Sequence, residues 1–469
     1  MEFNSWSFVL FFPIVCLIYW GIKAQRARNI FLLIASYYFY MNWDARYGLL
    51  LLGNTLISYL ASIGLEHVQD HSRRKWLVSG SVFLNLSLIA FFKYANFGVE
   101  TVNWVMATLG IGINIPLPNI LLPVGVSFYV FQSVGYIVDV YRRDIKAEKD
   151  FINYALFVSF FPQLVAGPIE RSSNMLPQFR RQHKFDDDAA ISGFKLMLWG
   201  YFMKLALADR CAVYVQSVFD TPSADGYSSI IGTILFPFQI YGDFAGYSFI
   251  AIGAARIMGF HLKDNFNHPL FAVTVSDFWR RWHISLSTWF RDYVYFPLGG
   301  SRCKKWRIYF NLFVTFLASG LWHGATWTYV AWGGAHGIAL GIERALGWHK
   351  KQFKAVEKWM HIAFTFVFVA MARLIYRAGT LGLVHAHLVR MADPANFTIA
   401  NKITQMAMIF IAIIIVIAKD AVEEWWPKDK LAGSTPRPIW KDVAIITGML
   451  LLLSIMASPE GGTFVYFQF

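Results

Sequence analysis

Two histidines in apolar surroundings are the residues of this 469-residue chain whose types and positions indicate chemistry. His283 lies in the stretch Ser276-Asp-Phe-Trp-Arg-Arg-Trp-His-Ile-Ser285, and His323 follows forty positions later in Leu321-Trp-His-Gly324. Ionisable side chains inside a membrane are costly, so those that persist usually face a cavity or a partner and carry function. A neutral imidazole in such a place can act as a general base that takes a proton from an attacking hydroxyl.

His323 ends an apolar run, Leu312–Trp322, and is followed by Gly324. No carboxylate lies near it in the sequence, so nothing local would hold the imidazole in its charged form. Gly324 lacks a Cβ atom and would let a substrate chain approach the backbone closely. A buried histidine that hydrogen-bonds a helix carbonyl would produce the same pattern, and both interpretations stay open at this point.

His283 lies in a segment rich in tryptophan, arginine and serine. Trp279 and Trp282 can line an apolar passage, while Arg280 and Arg281 can attract a phosphate through charge and paired hydrogen bonds. An amphipathic helix at the membrane interface, aromatic on one side and basic on the other, is the simpler interpretation for the two arginines. It explains His283 less well, because the same segment could turn this side chain toward the protein interior.

Seven other histidines have simpler explanations than catalysis. Their positions in hydrophilic loops or at the ends of spans predict solvated or capping roles for His67, His71, His183, His349, His361, His385 and His387. His183 and Asp188 match the His-x4-Asp pattern of soluble and monotopic phospholipid acyltransferases. A run of three aspartates satisfies that spacing by chance, so we assign the match no function.

The composition indicates a protein built for lipid. Hydrophobic residues make up 56% of the chain and charged residues only 15%, against about 25% charged in a typical soluble domain. The apolar residues form runs near the ~20 positions that a helix needs to cross a bilayer. Runs such as Ile409–Ala418 do not alternate as barrel strands do. We therefore predict an all-α polytopic membrane protein.

The net charge of +13 follows topology and does not indicate nucleic-acid binding. Basic residues concentrate in the loops Lys23–Arg28, Arg73–Lys75 and Arg142–Lys149, as the positive-inside rule expects for cytoplasmic loops.

The N-terminus lacks the basic region of a cleavable signal, so we expect the first span to remain, with the N-terminus outside. Three scattered cysteines do not provide a disulfide framework or a zinc site, and we predict no bound metal.

These elements predict about eleven crossings plus one or two re-entrant pieces, in one integral membrane domain over residues 1–469. N-terminal helices would occupy residues 1–150, a catalytic core 151–348 and C-terminal helices 349–469. The regular spans are predicted at Ser7–Gly21, Asn29–Met41, Tyr47–Leu65, Trp76–Phe92, Ile120–Tyr141, Ile191–Leu207, Tyr309–Trp322, Trp327–Gly347, Trp359–Tyr376, Ile403–Ile417 and Val443–Ala457.

Four segments depart from a regular span. Phe151–Ala166 is predicted to be re-entrant or broken, which membranes tolerate where protein or water shields the backbone. Ser229–Phe260, which contains a proline, is predicted to be an interrupted span. The stretch His261–Arg307 is too charged to cross, and Asp420–Lys441 is expected to form an interfacial connector with aromatic anchors.

Two long motifs carry a resemblance to a known family. Phe278–Ser287 and Gly320–Gly337 resemble the membrane-bound O-acyltransferase family, more narrowly its bacterial branch that acetylates alginate and other exopolysaccharides. Gln163–Arg171, Tyr241–Gly253 and Phe290–Ser301 support the match. The usual motif has serine where this chain has alanine at position 245, a small departure. The resemblance runs from about residue 5 to the C-terminus.

The resemblance implies a ring of tilted helices around a central tunnel that joins the two membrane faces. It places the family's catalytic histidine at His323 and its second polar position at His283, which would orient the thioester or stabilise the oxyanion. The residues expected to bind the donor or line the tunnel are Trp279, Arg280, Arg281, Trp282, Trp322 and Asp243.

The same resemblance implies a reaction and its participants. Acetyl-CoA would be the donor substrate, with no tightly bound cofactor. The acetyl group would cross the bacterial inner membrane to an extracytoplasmic polysaccharide such as alginate. This chain has no Gly-x-Ser-x-Gly elbow and no extracytoplasmic domain large enough to hold a polymer. The polymer is therefore not expected to be the direct acceptor, and the resemblance implies a periplasmic SGNH-type acetyltransferase as the partner that receives the acetyl group.

Three alternatives remain open from the sequence. Within the enzyme interpretation, the donor could be a D-alanyl or other acyl group on a carrier protein, passed to a cell-envelope polymer. A transporter or flippase would use similar helices and an interior polar path, although no inverted repeat is evident. A scaffold for an exopolysaccharide export complex is the third. Turnover of labelled acetyl-CoA separates an enzyme from the other two.

Overall fold

The computed structural model describes residues 1–118, 120, 123–165, 167–220, 225–393, 403–426, 438–458, 462 and 464. Over these residues the regular secondary structure is entirely helical, which confirms the predicted fold class. The chain divides into two compact units. One contains Met1–Phe194 and Ala251–Lys263, and the other contains Lys195–Ile250 and Asp264–Phe469.

The first unit is built from the N-terminal helices. Its buried polar side chains find partners, as interior polar groups must: Asn29 Nδ2 donates to Phe179 O over 2.8 Å and to Asn153 Oδ1 over 2.8 Å. The helices that lie wholly within this unit are α1 Trp6–Gly21, α2 Gln25–Met41, α3 Ala45–His67, α4 His71–Thr108, α5 Val126–Arg142, α6 Phe151–Ser159, α7 Phe161–Leu164 and α8 Ser172–Arg180.

The second unit contains both candidate histidines. Helices α9 Asp187–Tyr201 and α11 Gly226–Ile257 contribute residues to both units. Short 3₁₀ turns occur at Pro269–Phe271 and Trp348–Lys350, and π-helical turns at Phe202–Ala208 and Arg291–Tyr295. The helices of this unit are α10 Asp209–Phe219, α12 Val275–Arg281, α13 Ile284–Phe290, α14 Lys305–His323, α15 Trp327–Ala345, α16 Ala355–Arg377, α17 Leu381–Ala392, α18 Ile403–Trp425 and α19 Ile439–Met456.

Four of the described helices, α3, α4, α16 and α19, are long and apolar enough to cross a membrane by length and composition. The protein is thus a multi-pass membrane protein, and the figure of about eleven crossings stays a prediction. Helix α4 extends to Thr108, well beyond the predicted end at Phe92. Its 38 residues correspond to about 57 Å of helix, longer than the ~30 Å hydrocarbon core.

Two irregular segments have different outcomes. The predicted break in Phe151–Ala166 is confirmed, because α6 ends at Ser159 and α7 begins at Phe161 with a proline in its first turn. Position 166 itself lies outside the described residues. The predicted interruption of Ser229–Phe260 is wrong: α11 continues from Gly226 to Ile257 with Pro237 inside it. Neighbouring groups can satisfy the backbone carbonyl that a proline frees, so a membrane helix tolerates it.

The predicted connector Asp420–Lys441 is partly helical. Helix α18 runs on to Trp425, and α19 begins at Ile439. Residues 427–437 lie outside the described residues.

Glycines set the spacing of α14 and α15, the helix pair that carries His323. A Cβ atom added to Gly320 would lie 2.4 Å from Tyr329 O, and one added to Gly333 would lie 2.3 Å from Phe316 O. Small residues at a helix interface let two backbones approach closely. The last turn of α14 is therefore pressed directly against the first turns of α15.

Helix α12 is held against α15 at its N-terminus. Glu343 of α15 accepts hydrogen bonds from the backbone N–H groups of Val275 and Ser276, the latter at 2.9 Å. Thr274 Oγ1 accepts from Asp277 N at 3.0 Å and caps the helix. A carboxylate beside a helix N-terminus satisfies N–H groups that have no partner within the helix. This anchor places the rest of α12 beside the middle of α15.

Candidate active site

His323 is the last residue of α14, and a backbone hydrogen bond fixes its tautomer. Its Nδ1 lies 2.7 Å from Ser319 O. A carbonyl oxygen only accepts, so Nδ1 carries the proton and donates it, and the lone pair lies on Nε2. The side chain is half-buried. The histidine can therefore accept a proton through Nε2, and it also makes the carbonyl bond that a purely structural residue would make.

Aromatic rings surround His323 on two sides. Its ring centroid lies 5.0 Å from that of Trp322 and 4.8 Å from that of Trp332. Trp332 in turn lies 4.9 Å from His336. These rings shield the His323 imidazole from water on those sides. Trp332 also connects it to a fully buried histidine, His336, in the middle of α15.

A small cavity lies between these rings and α16. Its volume is about 20 Å³, which is enough for one water molecule and too small for an acyl chain. Side chains around it must therefore move to admit a substrate. The lining residues are Ile240, Phe278, Trp282, His323, Tyr329, Trp332, His336, Arg373 and Tyr376.

His336 is 1% exposed and is oriented by Trp279 of α12. Trp279 Nε1 lies 3.2 Å from His336 Nδ1. An indole N–H can only donate, so Nδ1 is the acceptor and the neutral imidazole carries its proton on Nε2. His336 thus presents one N–H donor, whereas His323 presents one acceptor. The two histidines of this cavity have opposite tautomers.

Arg373 of α16 places a cation at the same cavity. It is 4% exposed, and its Nη1 donates to Pro237 O over 3.1 Å. The guanidinium carbon lies 4.2 Å from the centroid of the Trp282 ring, a cation–π contact. A second cavity of about 10 Å³ shares Phe278, Trp282 and Arg373 with the first. These three side chains form the wall between the two spaces.

His283 is fully buried and held in a left-handed backbone conformation, with φ 44° and ψ 54°, just before α13. Its Nδ1 lies 3.2 Å from Asn265 Oδ1, which also accepts from Ser285 N at 3.2 Å. His283 therefore donates through Nδ1 and has its lone pair on Nε2. Burial, and then the nearby charge of His323, lower the pKa of His283 well below its ordinary value. The imidazole is neutral at physiological pH.

Trp322 connects the two predicted catalytic histidines. Its ring lies 5.9 Å from His283 and 5.0 Å from His323. His283 also packs edge-on against Phe244, at 4.6 Å between centroids. The structure thus brings both histidines to the same aromatic cluster, but His336, and not His283, shares the lining of the small cavity with His323.

The two predicted phosphate-binding arginines differ in what surrounds them. Arg280 is exposed. Arg281 forms a paired contact with Glu424, at 2.8 and 3.0 Å, and its Nε lies 3.0 Å from Asp277. Carboxylates already offset the charge of Arg281, so Arg280 is the better placed of the two to meet an anion.

A polar network extends from Arg281 to His268. The imidazole lies 3.2 Å from Glu423 and 3.4 Å from Glu424. Burial alone would lower the pKa of His268, but its hydrogen bond with Glu423 and the charges of Asp420 and Glu423 outweigh burial and raise it. Burial would likewise raise the pKa of Glu424, whereas its hydrogen bond and ion pair with Arg281 lower it.

The ligand atoms of His268, Asp420 and Glu423 lie within 4.8 Å of one another, a spacing compatible with a metal ion. However, Lys419 Nζ contacts Glu423 at 2.7 Å, and Tyr241 donates to Asp420 over 2.8 Å. Arg281 contributes a further positive charge beside the cluster, because it pairs with Glu424. We interpret the cluster as an ion-pair network whose carboxylates are neutralised by side chains.

Asp243, a predicted tunnel residue, belongs to a buried ion triad. Lys204 Nζ lies 2.6 Å from Asp243 and 2.8 Å from Asp209, and all three side chains are almost inaccessible. Lys204 lies within the π-helical turn Phe202–Ala208, and such turns are frequent at functional sites. Asp243 does not line the cavity at His323.

Sequence reasoning missed His336 and Arg373 as site residues. His336 lies within the motif Gly320–Gly337, and Arg373 is a lone cation inside the apolar run Trp359–Tyr376, a signal that could have drawn attention to it. The prediction for His387 was wrong. This side chain is 1% exposed, with Nδ1 3.1 Å from Ser229 Oγ, because α17 packs it inward.

Comparisons with known proteins identify the family of this chain. The profile of the MBOAT, membrane-bound O-acyltransferase family, matches residues 143–378. A Pseudomonas putida protein named "Probable alginate O-acetylase AlgI" is 42% identical, over 81% of this chain and 78% of its own length. The Helicobacter pylori "Peptidoglycan O-acetyltransferase" is 34% identical, over 81% and 77%. The Bacillus subtilis "Teichoic acid D-alanyltransferase" is 27% identical, over 56% and 70%.

Proposed function

Because this chain belongs to the membrane-bound O-acyltransferase family, we propose that it transfers an acetyl group from cytoplasmic acetyl-CoA toward an extracytoplasmic polysaccharide such as alginate. The names of the relatives at 37–42% identity support alginate as the polymer. O-acyl transfer is the chemistry common to the acetyl and D-alanyl branches of these relatives.

The single observation that carries the mechanism is the tautomer of His323. With Nδ1–H donated to Ser319 O, Nε2 accepts the proton of the acceptor hydroxyl as its oxygen attacks the acetyl carbonyl carbon. The C=O electron pair moves onto oxygen, then returns as the C–S bond breaks. The thiolate of CoA leaves and takes the proton from Nε2. General-base assistance of this kind contributes roughly 10²–10⁴-fold.

His283 acts in this proposal as an orienting residue. Its hydrogen bond to Asn265 and its contact with Trp322 support this role, because Trp322 contacts His323 directly. Correct placement of the thioester relative to the base is worth several kcal/mol of the barrier. His283 would thus guide the thioester to the base without accepting its proton.

The donor would enter from the basic segment that contains α12. Arg280, Lys304 and Lys305 are exposed there and would bind the CoA diphosphate by charge. From Arg280 the acyl arm would pass Trp279 and Trp282 to reach the cavity. That route crosses the wall formed by Phe278, Trp282 and Arg373, and the cavity is too small for an acyl arm, so aromatic side chains of the lining must move to admit it.

The acceptor side of the proposal is a relay. An SGNH-type partner in the periplasm would receive the acetyl group and pass it to the polymer. The chain would lie in the inner membrane with its N-terminus outside. Transfer of D-alanine from a carrier protein is the second candidate, and the 27% identical teichoic acid relative is the observation that favours it.

Membrane vesicles test this function. Inside-out vesicles containing the full chain should turn over labelled acetyl-CoA supplied to the cytoplasmic face, whereas right-side-out vesicles should not. His323→Ala should abolish turnover and leave membrane insertion intact. His385→Ala, which alters an exposed histidine, is the matched control and should keep wild-type activity. Retained turnover in His323→Ala would refute the assignment of the base, and turnover only with a D-alanyl carrier protein would select the second candidate.

A further inference from the structure

We propose that Arg373 and His336 form the site that stabilises the negative charge on the acyl carbonyl oxygen. The inference rests on the proposed role of His323 as the base. The same reaction also places negative charge on the carbonyl oxygen, and we assign the stabilisation of that charge to two residues outside the predicted site. When the acceptor oxygen bonds to the carbonyl carbon, one electron pair moves onto the carbonyl oxygen. That oxygen then needs donors on the side away from the base.

The cavity has the composition that this step requires. His323 contributes an acceptor nitrogen, His336 contributes an N–H donor, and Arg373 contributes a permanent cation, and all three line the same space. The remaining lining residues are aromatic or aliphatic, and Tyr329 and Tyr376 are the ones among them that carry a hydroxyl. A thioester carbonyl placed here would meet its base and its charge-stabilising donors in one space.

The tautomer of His336 is what makes it a donor. The Trp279 Nε1–H group donates a hydrogen bond to Nδ1 of His336, so the proton of the neutral imidazole is on Nε2. A second contact restricts the ring further: the Trp332 ring lies 4.9 Å from His336 between centroids and also packs on His323 at 4.8 Å. A donor held in place by a buried tryptophan requires no reorganisation when charge develops, which is the condition for effective oxyanion stabilisation.

Arg373 is fixed as firmly as His336. Its hydrogen bond to Pro237 O and its stack on Trp282 hold the planar guanidinium at the cavity wall. Arginine stays charged at any physiological pH and has five N–H donors. In a buried, low-dielectric site a cation interacts with a developing negative charge far more strongly than it would in water.

Kinetics with conservative and disruptive variants test the proposal. In inside-out vesicles, Arg373→Met and His336→Phe should each lower kcat for acetyl-CoA turnover about 10²–10³-fold with little change in KM, since removing one oxyanion donor typically has that effect. Arg373→Lys keeps the charge and His336→Gln keeps an N–H donor, so both should recover part of kcat. Phenylalanine and methionine preserve side-chain bulk and help the variants to fold.

A second measurement separates chemistry from structure. Adding His336→Phe to Arg373→Met should cost clearly less than the product of the two single losses, because groups that act on one transition state are strongly non-additive. Wild-type kcat in Arg373→Met, a change confined to KM, or fully additive losses would overturn this proposal. Absence of acetyl-CoA turnover in the wild type would instead refute the proposed function. If Arg373→Met does not insert, Arg373→Lys decides: lost insertion or unchanged kcat counts against the proposal, and an intermediate kcat supports it.

Discussion

Replacing Gly333 by alanine should slow acyl transfer while leaving the protein folded, because the added methyl group forces α15 away from α14. The new Cβ atom would lie 2.3 Å from Phe316 O and 3.1 Å from Gly320 Cα, whereas real Cβ contacts essentially never fall under 3.0 Å. The helices must therefore separate by about 0.7 Å. A carbonyl oxygen in the middle of a helix cannot rotate away as a side chain can.

The separation acts directly on the site. Gly320 lies one turn before His323 on α14, and Gly333 follows Trp332 on α15. The shift of the helices therefore changes the 4.8 Å contact between the rings of His323 and Trp332. A displacement near 1 Å can cost about 10²-fold in rate, and we expect a fall in kcat between about 10- and 100-fold. Overpacking costs about 1–3 kcal/mol, which the better helix propensity of alanine offsets by about 1 kcal/mol.

The assay compares Gly333→Ala with Gly334→Ala in inside-out vesicles. Gly334 is buried on the same helix, but its added Cβ would meet only side-chain atoms at 3.7 and 3.8 Å, an ordinary contact. Both variants gain the same helix propensity, so their difference isolates the backbone clash. Equal and wild-type kcat for the two variants would refute the role of the glycine contact. Loss of insertion in Gly333→Ala alone would show that the contact is needed for folding and not only for geometry.

Two further predictions concern charges away from the cavity. Lys204→Met should destabilise the protein by about 3–5 kcal/mol, because it leaves Asp243 and a second carboxylate buried without their cation. Thermal unfolding in detergent measures the loss, and wild-type stability would contradict the ion triad. The raised pKa of His268 makes its contacts with Glu423 and Glu424 fully stabilising below the ordinary histidine pKa, and this contribution is lost as pH rises through the raised value. The stability advantage of wild type over His268→Gln should therefore shrink between pH 6 and pH 9, and an advantage constant over that range would exclude a charged imidazole.

The helices of the site could be predicted because their signals are local. The apolar run that ends at His323 fixed α14 to within a few residues, and the predicted span Trp327–Gly347 nearly coincides with α15. The break between α6 and α7 followed from a proline and its polar surroundings. The same reasoning failed for α11, which continues through Pro237, because a proline does not by itself end a membrane helix.

Apolar runs, charge distribution and contiguous motifs can all be read along the chain, so these signals were enough to predict a helical membrane protein that resembles the O-acyltransferase family and to draw attention to His323 and His283. Which side chains share the cavity could be learned only from the packing of the helices. His336 and Arg373 reach it from α15 and α16, Trp279 orients His336 from α12, and Arg281 turns to Glu424 on α18. Hydrogen-bond tautomers and neighbours across helices depend on packing between segments distant in sequence, and no local pattern encodes them.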